Sequence, residues 1–308
     1  MRTLDHGKTF VALGEMVQRF KHEVRFGASR RKFDFNQHVA IIITYNESDI
    51  IYHSLRKLID QGIGVYLIDN WSTDDSIEQV KHLFNRGIVG FERFPEDGPS
   101  PYFSLEEQLR HKERIAEKLK AEWIIHQDVD EIRESPWPDV SLREGLVRAG
   151  REGYNCIDHT VLRFRPVDDT FRYGTDVEAH LRYFTFETHP AYFAQRKAWS
   201  NKGARISLAD SGGHSVEFSG RKVFPTRFLL KHYPIRGQVH GQRKVLRERK
   251  PRFEPVERAK GWHVHYNHVD MTTSFLSEPD TLVPYDPRLT KKALLNSPLA
   301  QNPDASFL

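Results

Sequence analysis

The stretch AEWIIHQDVDEIRESP, residues 121–136, joins a short apolar run to a cluster of acids. The apolar run Trp123–Ile125 is followed within a few positions by Asp128, Asp130 and Glu131. Neighbouring carboxylates repel one another and raise one another's pKa, so an unpaired cluster of this kind is costly. The pattern therefore predicts a buried strand that ends at a site for a cation or for proton transfer.

The region before this stretch repeats one pattern, in which an apolar run is followed by an amphipathic segment. The runs are Val39–Ile43, GVYLIDN at residues 64–70 and IVGFERF at residues 88–94. The segments between them, 47–62 and 72–87, have helical spacing and end at glycines, and Thr73 or Asp74 is the expected N-cap of the second. Three such units predict an α/β fold with a mostly parallel central sheet and helices on both faces.

The pattern changes after Gly150. Before it, a charged helix is predicted over Phe103–Lys120, and Ser141 with Glu144 has the capping-box spacing of another helix. Beyond it, aromatic and β-branched residues alternate with polar ones, as in HLRYFTFET at residues 180–188. This alternation predicts mixed or antiparallel strands in the second half of the chain.

The bulk composition restricts the class of protein. The 308 residues are 38% hydrophobic and 29% charged, as in an ordinary globular protein. The net charge of +4 suits anionic ligands. Because this charge is small and the basic residues are dispersed, a nucleic-acid partner is not expected. Cys156 is the single cysteine, so no intramolecular disulfide framework is possible and a reducing compartment is expected. No apolar run approaches the roughly 20 residues of a membrane span, and the opening MRTLDHGKTF lacks a signal-peptide core. We therefore expect a cytoplasmic location.

Three polar clusters come directly after predicted strands, at residues 44–47, 69–74 and 128–131. Ligands of open α/β sheets bind at the carboxyl ends of the strands, so these clusters are expected to line one crevice. Their carboxylates can accept hydrogen bonds from a base or a ribose, and an aromatic ring can cover the base. Asp128 and Asp130, two positions apart, share a face in a strand, and such oxygen ligands suit Mg²⁺ or Mn²⁺ bridging to a diphosphate.

Three motifs in this order resemble glycosyltransferase family 2 and its relatives with the GT-A fold. They are AIIITYNE at residues 40–47, VYLIDNWSTDDS at 65–76 and WIIHQDVDEI at 123–132. In that family an Asp-x-Asp element holds a divalent metal and a nucleotide-sugar. The resemblance therefore implies that Asp128 and Asp130 are nucleotide and metal ligands, with Mn²⁺ or Mg²⁺ as the cofactor.

The resemblance also implies roles for residues outside the acidic cluster. Those that match nucleoside-contacting positions are Thr44, Tyr45, Glu47, Asp69 and Asn70. The basic helix before the acidic strand resembles the segment that reaches towards the sugar or the phosphates. It offers Arg110, Lys112 and Arg114, and the sequence leaves open which of the three points inward.

One feature of the family pattern is missing. Many members carry a downstream Glu-Asp pair whose carboxylate deprotonates the acceptor hydroxyl, and no such pair follows Glu131. GT-A enzymes often present the base on a Gly-rich turn and complete the metal site with a later histidine. By this analogy His214, in DSGGHSVEF, is the expected base and His232 the third metal ligand, with Asp210, Glu217 and Glu131 as alternative bases.

Two further segments are candidates for a role in binding. The basic stretch 236–249 is expected to be helical and to close over the diphosphate, although an ordinary solvated face is the alternative. In GWHVHYNH, His263, His265 and His268 have a spacing compatible with zinc. A position near the acceptor cleft explains the same histidines.

We therefore predict a hexosyltransferase-type glycosyltransferase that moves a sugar from a nucleotide-diphosphate donor, with UDP favoured, to an acceptor hydroxyl. The resemblance implies a metal-dependent, inverting reaction and a glycan or lipid-linked glycan acceptor, as in surface polysaccharide or lipopolysaccharide synthesis. One alternative is a nucleotidyltransferase of related fold, but those enzymes carry a Gly-rich loop after the first strand and ITYNESD has no glycine. The other is a non-catalytic nucleotide-sugar-binding module.

The predicted organisation has three parts. Residues 1–35 form an N-terminal extension with a short helix over Phe10–Phe20, and its basic residues are expected to contact the inner face of an anionic membrane peripherally. Residues 36–270 form a GT-A-like domain, with a nucleotide-binding half (36–135) and an acceptor half (136–270). Residues 271–308 are rich in proline and polar residues and are expected to be a loosely packed tail.

Overall fold

The structure is a computed structural model, and it describes residues 33–186 and 195–296. The predicted helix Phe10–Phe20 and nearly all of the N-terminal extension lie outside these ranges, as do residues 297–308 of the predicted tail. The strands of the first part are β1 (His38–Thr44), β2 (Gly64–Asp69), β3 (Ile88–Arg93), β4 (Trp123–Asp128) and β5 (Glu131–Glu134). Those of the second part are β6 (Cys156–Ile157), β7 (His159–Phe164), β8 (Tyr183–Phe186), β9 (Ala198–Ser200), β10 (Phe228–His232) and β11 (Val283–Pro284).

The helices alternate with the strands in the first half and are shorter in the second. They are α1 (Ile51–Asp60), α2 (Ser76–Val80), α3 (Leu105–Lys118), α4 (Leu142–Arg151), α5 (Val177–His180), α6 (Gln238–Gly241), α7 (Pro255–Ala259) and α8 (Pro287–Asn296). A π-helical stretch, Gln242–Arg249, continues α6, and a 3₁₀ turn, Lys250–Arg252, follows it. In the part of the chain that the structure describes, no helix combines the length and the apolar character that a membrane crossing requires.

The central sheet has the strand order β3-β2-β1-β4-β9-β6, and its first four strands are parallel. Side chains of β1 alternate between two cores: Ala40 and Ile42 pack with α1, whereas Val39 and Ile41 pack with α3. A strand buried on both faces needs a continuous apolar run, which is what residues 39–43 supply. The predicted α/β fold, with a mostly parallel sheet between helices, is confirmed.

A second sheet is formed by the second half of the chain, in the order β11-β8-β7-β10-β5. Its strands pair in both senses, since β10 is parallel to β7 and antiparallel to β5. The mixed strands predicted for this half are therefore confirmed. The acidic segment lies where the chain leaves β4 in the first sheet and enters β5 in the second. That turn holds Asp128 and Asp130 between two rigid elements.

Local structure departs from the sequence-based prediction in two places. Of the helix expected over residues 72–87, only Ser76–Val80 is α-helical, because Asp74 Oδ1 accepts a hydrogen bond from the backbone N–H of Ser76 (2.9 Å) and delays the start of the helix. Part of the predicted loose tail is the helix α8. Its Leu294 is buried against the core of the second sheet, and Lys291 Nζ lies 3.1 Å from a carboxylate oxygen of Glu134. The capping box of Ser141 and Glu144 is confirmed.

Candidate active site

The polar clusters predicted at three strand ends meet at one edge of the central sheet. In the strand register Thr44 lies beside Asp69, and Ile43 lies beside Asp128. Because β1, β2 and β4 are parallel and adjacent, their carboxyl ends open into the same crevice. The structure therefore brings together the nucleoside-contacting and acidic residues that the sequence predicts.

Two loops interlock at the mouth of this crevice. Asn46, in a left-handed backbone conformation (φ 53°), accepts a hydrogen bond at Oδ1 from the backbone N–H of Thr73 (2.8 Å). The backbone N–H of Glu47 donates to Ser76 Oγ at 2.8 Å, so the loop after β1 is joined to the start of α2. These bonds fix the backbone around Thr44 and Asp69. Asparagine is among the few residues that adopt this conformation readily.

The residues predicted to contact a nucleoside, Asp69, Asn70, Thr44 and Tyr45, line one side of the crevice. Asp69 is fully buried, and its carboxylate accepts hydrogen bonds from the backbone N–H of Ser72 (2.9 Å) and from Arg93 Nε (3.2 Å). Burial nevertheless raises the pKa of Asp69 above its usual value. Thr44 Oγ1 is buried and has no hydrogen-bond partner within residues 33–186 and 195–296.

Arg252 covers this part of the crevice from the opposite side. Its guanidinium carbon lies 4.1 Å from the centre of the Tyr45 ring, and its Nη2 donates to Asn70 Oδ1 at 3.4 Å. A guanidinium on an aromatic face is a favourable cation–π arrangement. Tyr45 and Asn70 are therefore contacted by the 3₁₀ turn that follows the basic stretch 236–249.

Asp130 is buried, and it is neutralised by two side chains from later parts of the chain. Lys244 Nζ lies 2.9 Å from Oδ2, and His232 Nε2 lies 3.6 Å from Oδ1. Although burial opposes ionisation, Lys244 and His232 hold the pKa of Asp130 well below its usual range. The carboxylate is therefore charged at neutral pH, and the expected repulsion within the acidic cluster is offset by cations.

Asp128 has a different pair of cations. Lys197 Nζ lies 3.1 Å from Oδ2 and Lys112 Nζ 3.9 Å from Oδ1, while about half of the Asp128 side chain (47%) remains exposed. Lys197 also contacts Glu131 Oε1 at 2.8 Å. Asp128 is thus open to a ligand on one side, with buried ammonium groups on the other.

Glu47 and Asp49 are held by Arg236, whose side chain is almost fully buried (1% exposed). Its guanidinium lies 2.7 Å from Asp49 Oδ1 and 2.5 Å from Glu47 Oε2. Lys244 Nζ is also 2.5 Å from Glu47 Oε1, so this ammonium bridges Glu47 and Asp130. The basic stretch that begins at Arg236 consequently reaches into the crevice.

The structure distinguishes the three basic residues of α3. Lys112 is buried, donates to His126 Nδ1 and to the Gln127 carbonyl at 3.0 Å each, and has its pKa lowered to about 8 by burial. Arg110 and Arg114 lie on the exposed face, where Arg110 pairs with Glu106 at 2.9 Å. Only Lys112 of the three points towards Asp128.

The four candidate bases have different surroundings. Glu217 is exposed, and its Oε1 lies 2.7 Å from Arg221 Nη1. His214 Nδ1 accepts from Gln195 Nε2 at 2.9 Å, and burial together with the nearby Lys197 lowers its pKa to about 4. Asp210 is exposed and accepts from Ser207 Oγ at 2.7 Å. Glu131 is buried, and its two carboxylate oxygens contact Lys197 and Arg133. Glu131 is thus committed to ion pairs, whereas His214 is neutral at pH 7 and can accept a proton.

We expect the His214 imidazole to titrate near pH 4 in the folded protein. Burial favours the neutral form of the ring, whereas in the unfolded state the ring binds its proton near pH 6.5. The unfolded state therefore holds more protons than the folded state between about pH 4 and pH 6.5, and the free energy of unfolding rises with pH over this window. Above pH 6.5 the group adds no further change. The measurement is a two-dimensional NMR titration of the histidine ring protons, with His214→Gln to assign the signal. A midpoint near 6.5 would show that the ring is solvated and would contradict this environment.

The donor set around Asp130 is chemically suited to a divalent cation, but the three predicted ligands do not converge. Asp130 and His232 face each other, whereas Asp128 turns towards Lys197 and Lys112. Mg²⁺ and Mn²⁺ are commonly held by one or two carboxylates together with substrate phosphates, so Asp130 and His232 fit such a site if Lys244 moves away from Asp130. Among the described residues, groups with three close ligand atoms occur elsewhere, at Glu47–Asp49–His240 and His53–Asp176–Glu178.

Sequence reasoning named Lys112, His232 and the basic stretch 236–249, but it missed Lys197 and Arg252. Lys197 lies directly before β9 in the second half, and Arg252 follows the basic stretch that was considered. Lys112 could have been singled out, because Leu109, Lys112, Ile115 and Ala116 recur at helical spacing on the buried face of α3. The spacing places Arg110 and Arg114 away from that face.

Part of the chain is similar to a known protein family. Residues 39–103 match the family model described as "Glycosyl transferase family 2". No curated protein matches the chain. Because the matched segment includes β1, β2, β3 and the loops with Tyr45 and Asp69, the family match falls on one side of the crevice.

Two solved structures are also similar to the chain. One is TarS 1-349 from S. aureus in complex with UDP, with 11% identity, 65% of this chain and 61% of that chain covered, and a TM-score of 0.40. The other is glucosyl-3-phosphoglycerate synthase from Mycobacterium tuberculosis in complex with phosphoglyceric acid, with 16% identity, 58% and 63% covered, and a TM-score of 0.28. The chain thus spans about three fifths of the length of each. Residues 39–103 of this mixed α/β fold are therefore similar to glycosyltransferase family 2.

Proposed function

We propose that the protein transfers a sugar from a nucleotide-diphosphate donor, UDP-linked by preference, to an acceptor hydroxyl, with a divalent metal on the diphosphate. The observation that carries the proposal is the convergence of Asp69, Asp128 and Asp130 at the carboxyl edge of a parallel sheet whose first half matches glycosyl transferase family 2. TarS, one of the similar structures, binds UDP, which is why a UDP-sugar is the favoured donor. A hexosyl group and inversion at the anomeric carbon follow from the family resemblance.

The nucleoside is proposed to bind between the first two loops. Asp69 is fully buried at the base of the crevice, and Thr44 Oγ1 has no partner in the described part of the chain, so both can meet donors or acceptors of the ligand. The Tyr45 ring supplies a flat surface for the base. The Arg252 guanidinium lies 4.1 Å from the centre of that ring. When the base binds, Arg252 either stacks on its other face or moves away from the Tyr45 ring.

The diphosphate is proposed to lie over Asp130, where cationic groups surround it. Lys244 and the buried Arg236 project from the basic stretch and already face the acids of the crevice. Mn²⁺ or Mg²⁺, held by Asp130 and His232 together with the phosphates, would neutralise charge that develops on the departing diphosphate. When the phosphates bind, the Lys244 ammonium gains an anionic partner and can leave Asp130.

His214 is the proposed base for the acceptor hydroxyl. It is close enough to Asp128 and Lys197 for their charges to affect its pKa, and it is neutral at pH 7. Its low pKa makes it a weak base, because a catalytic group works best when its pKa is near the operating pH. This weakness favours a second candidate function, a nucleotide-sugar-binding module that does not turn the donor over.

The test is a thermal-shift panel of UDP, GDP, CDP, ADP and UDP-glucose, each with Mn²⁺, with Mg²⁺ and with EDTA. A ligand that binds only the folded state raises the melting temperature by mass action. We expect a shift of several degrees with a UDP species and metal, which is lost in Asp69→Asn and kept in the control Asp280→Asn, an exposed residue far along the chain.

Two other outcomes would change the conclusion. If no nucleotide shifts the melting temperature, the acids serve the structure and the transferase proposal fails. The binding-module function is supported if UDP-glucose binds but no UDP is released over hours. This must hold for UDP-glucose, UDP-galactose and UDP-N-acetylglucosamine, each with and without glycan acceptors. A glycan or lipid-linked acceptor and a peripheral membrane contact through residues 1–35 remain part of the proposal. Recovery in the membrane fraction after removal of residues 1–30 tests the membrane contact.

A further inference from the structure

The segment after Arg252 forms an open pocket outside the crevice. Its volume is about 390 Å³, and it is lined by Pro255, Arg258, Ala259, Trp262, Val264 and Asn267. The pocket therefore combines one large aromatic ring with a guanidinium and a carboxamide. Its volume lies in the usual range of sites for small ligands, which starts near 300 Å³.

A buried carboxylate anchors the pocket to the central domain. Glu257 is 2% exposed, and its Oε1 accepts hydrogen bonds from Ser104 Oγ (3.0 Å) and from the backbone N–H of Glu106 (2.8 Å) at the start of α3. Its Oε2 lies 2.9 Å from His263 Nε2. A buried carboxylate with this set of partners fixes the helix α7, so the pocket wall is rigid on this side.

The backbone is strained at the residue between two pocket-lining side chains. His263, which follows Trp262 and precedes Val264, has φ 62°, a left-handed conformation that is uncommon for residues other than glycine, although Asn, Asp and His adopt it more often than most. Its ring is held by Glu257 and stacks on Phe253, with centroids 4.2 Å apart and an interplanar angle of 5°. Such strain persists only where the surroundings impose it, and it is concentrated at functional sites. Here it sets the direction of Trp262.

The pocket is joined to the donor crevice through its own segment. Arg252, three positions before the pocket begins, lies on Tyr45, and Arg249 Nη1 donates to Tyr266 Oη at 3.1 Å. The side-chain donors of Arg258, Trp262 and Asn267 have no protein partner within the residues that the structure describes. A ligand in the pocket is thus offered side-chain donors that no described residue occupies.

We propose that this pocket binds a sugar ring of the acceptor glycan. Trp262 would cover the apolar face of a pyranose, and Arg258 and Asn267 would donate hydrogen bonds to its hydroxyls. A large, rigid ring beside a few polar groups suits a ligand with an apolar face and a polar rim. The proposal rests on the proposed glycosyl transfer, and it gives the histidine-rich motif GWHVHYNH a role in positioning Trp262 through His263.

The experiment is saturation-transfer NMR on the full chain, with the methyl glycosides of glucose, galactose, mannose, N-acetylglucosamine and N-acetylgalactosamine at about 10 mM, since single sugars bind weakly. We expect saturation transfer to at least one glycoside, its loss in Trp262→Ala and its partial retention in Trp262→Phe. The control is Tyr173→Ala, an exposed aromatic outside the pocket, which should bind as the intact protein does. Absence of saturation transfer to all five glycosides overturns the proposal, as does binding that persists in Trp262→Ala.

A thermal-shift measurement with UDP and Mn²⁺ on the same variants separates this inference from the proposed function. Trp262→Ala should keep the nucleotide shift, because its side chain is not in the donor crevice. A protein that binds a glycoside through Trp262 but no nucleotide would refute the transferase and leave a sugar site. A protein that binds UDP but shows no Trp262-dependent glycoside binding would refute only the sugar site.

Discussion

Asp130→Asn is expected to lower the release of UDP from its UDP-sugar by about 10²- to 10³-fold, the loss typical when one group that stabilises transition-state charge is removed. Asparagine keeps the shape of the side chain but loses the charge that would hold a divalent cation on the departing diphosphate. Lys244 still pairs with Glu47 at 2.5 Å, so the ammonium that faces Asp130 is not left alone in the interior. The variant should therefore fold.

The measurement is UDP release with Mn²⁺ and with EDTA, together with the melting temperature. The control Asp280→Asn makes the same chemical change at an exposed position and should leave both unaltered. The metal-dependent part of the UDP thermal shift should disappear in Asp130→Asn alone. Unchanged turnover in Asp130→Asn would mean that Asp130 serves only as the structural partner of Lys244.

Arg236→Met is expected to lower the free energy of unfolding by about 3–5 kcal/mol, the usual cost of removing one partner from a buried ion pair. The guanidinium is 1% exposed and contacts the carboxylates of Glu47 and Asp49. Methionine is close to arginine in volume but carries no charge. Burial alone would raise the pKa of Asp49, and Arg236 is the main group that lowers it, so the substitution leaves Asp49 without its principal cation. The loss of stability should shrink in Arg236→Met/Asp49→Asn, which removes the uncompensated charge.

Urea unfolding at pH 7 measures this effect, and Arg110→Met is the matched control. Arg110 also pairs with a carboxylate, that of Glu106 at 2.9 Å, but half of its side chain is exposed (49%), so we expect a much smaller change in the free energy of unfolding. Equal effects of the two substitutions would show that Arg236 is solvated in solution. Because Arg236 also orders the loop after β1, UDP binding should weaken in Arg236→Met even under conditions in which the variant is folded.

The first half of the fold could be predicted because its signals are local. Val39–Ile43 is continuously apolar, as a strand buried between α1 and α3 requires. The capping box that opens α4 is formed by Ser141 and Glu144, which lie within four residues of sequence. The second half was harder, since β9 has only three residues and β6 only two. Such short strands have no periodicity of their own, and their pairing with β4 and with each other is decided by the packing of the whole sheet.

The acids of the site could be predicted, but their partners could not. Asp69 and Asp128 follow strands, and adjacent parallel strands bring their carboxyl ends together whatever the rest of the chain does. Lys197 is 69 positions from Asp128 and Lys244 is 114 positions from Asp130, and no local pattern indicates either pair. The direction in which His214 points and the depression of its pKa depend in the same way on burial by distant residues.

The sequence by itself determined the strand–helix order of the first half, the crevice at the ends of β1, β2 and β4, and the acids within it, because periodicity and parallel pairing are short-range rules. The tertiary structure alone decided which cations neutralise those acids, that Lys112 and not Arg110 or Arg114 faces Asp128, and that Trp262 lines a separate pocket. Ion pairs and pockets are made by side chains far apart in the sequence. Their positions follow from the packing of two sheets against each other, which no single segment encodes.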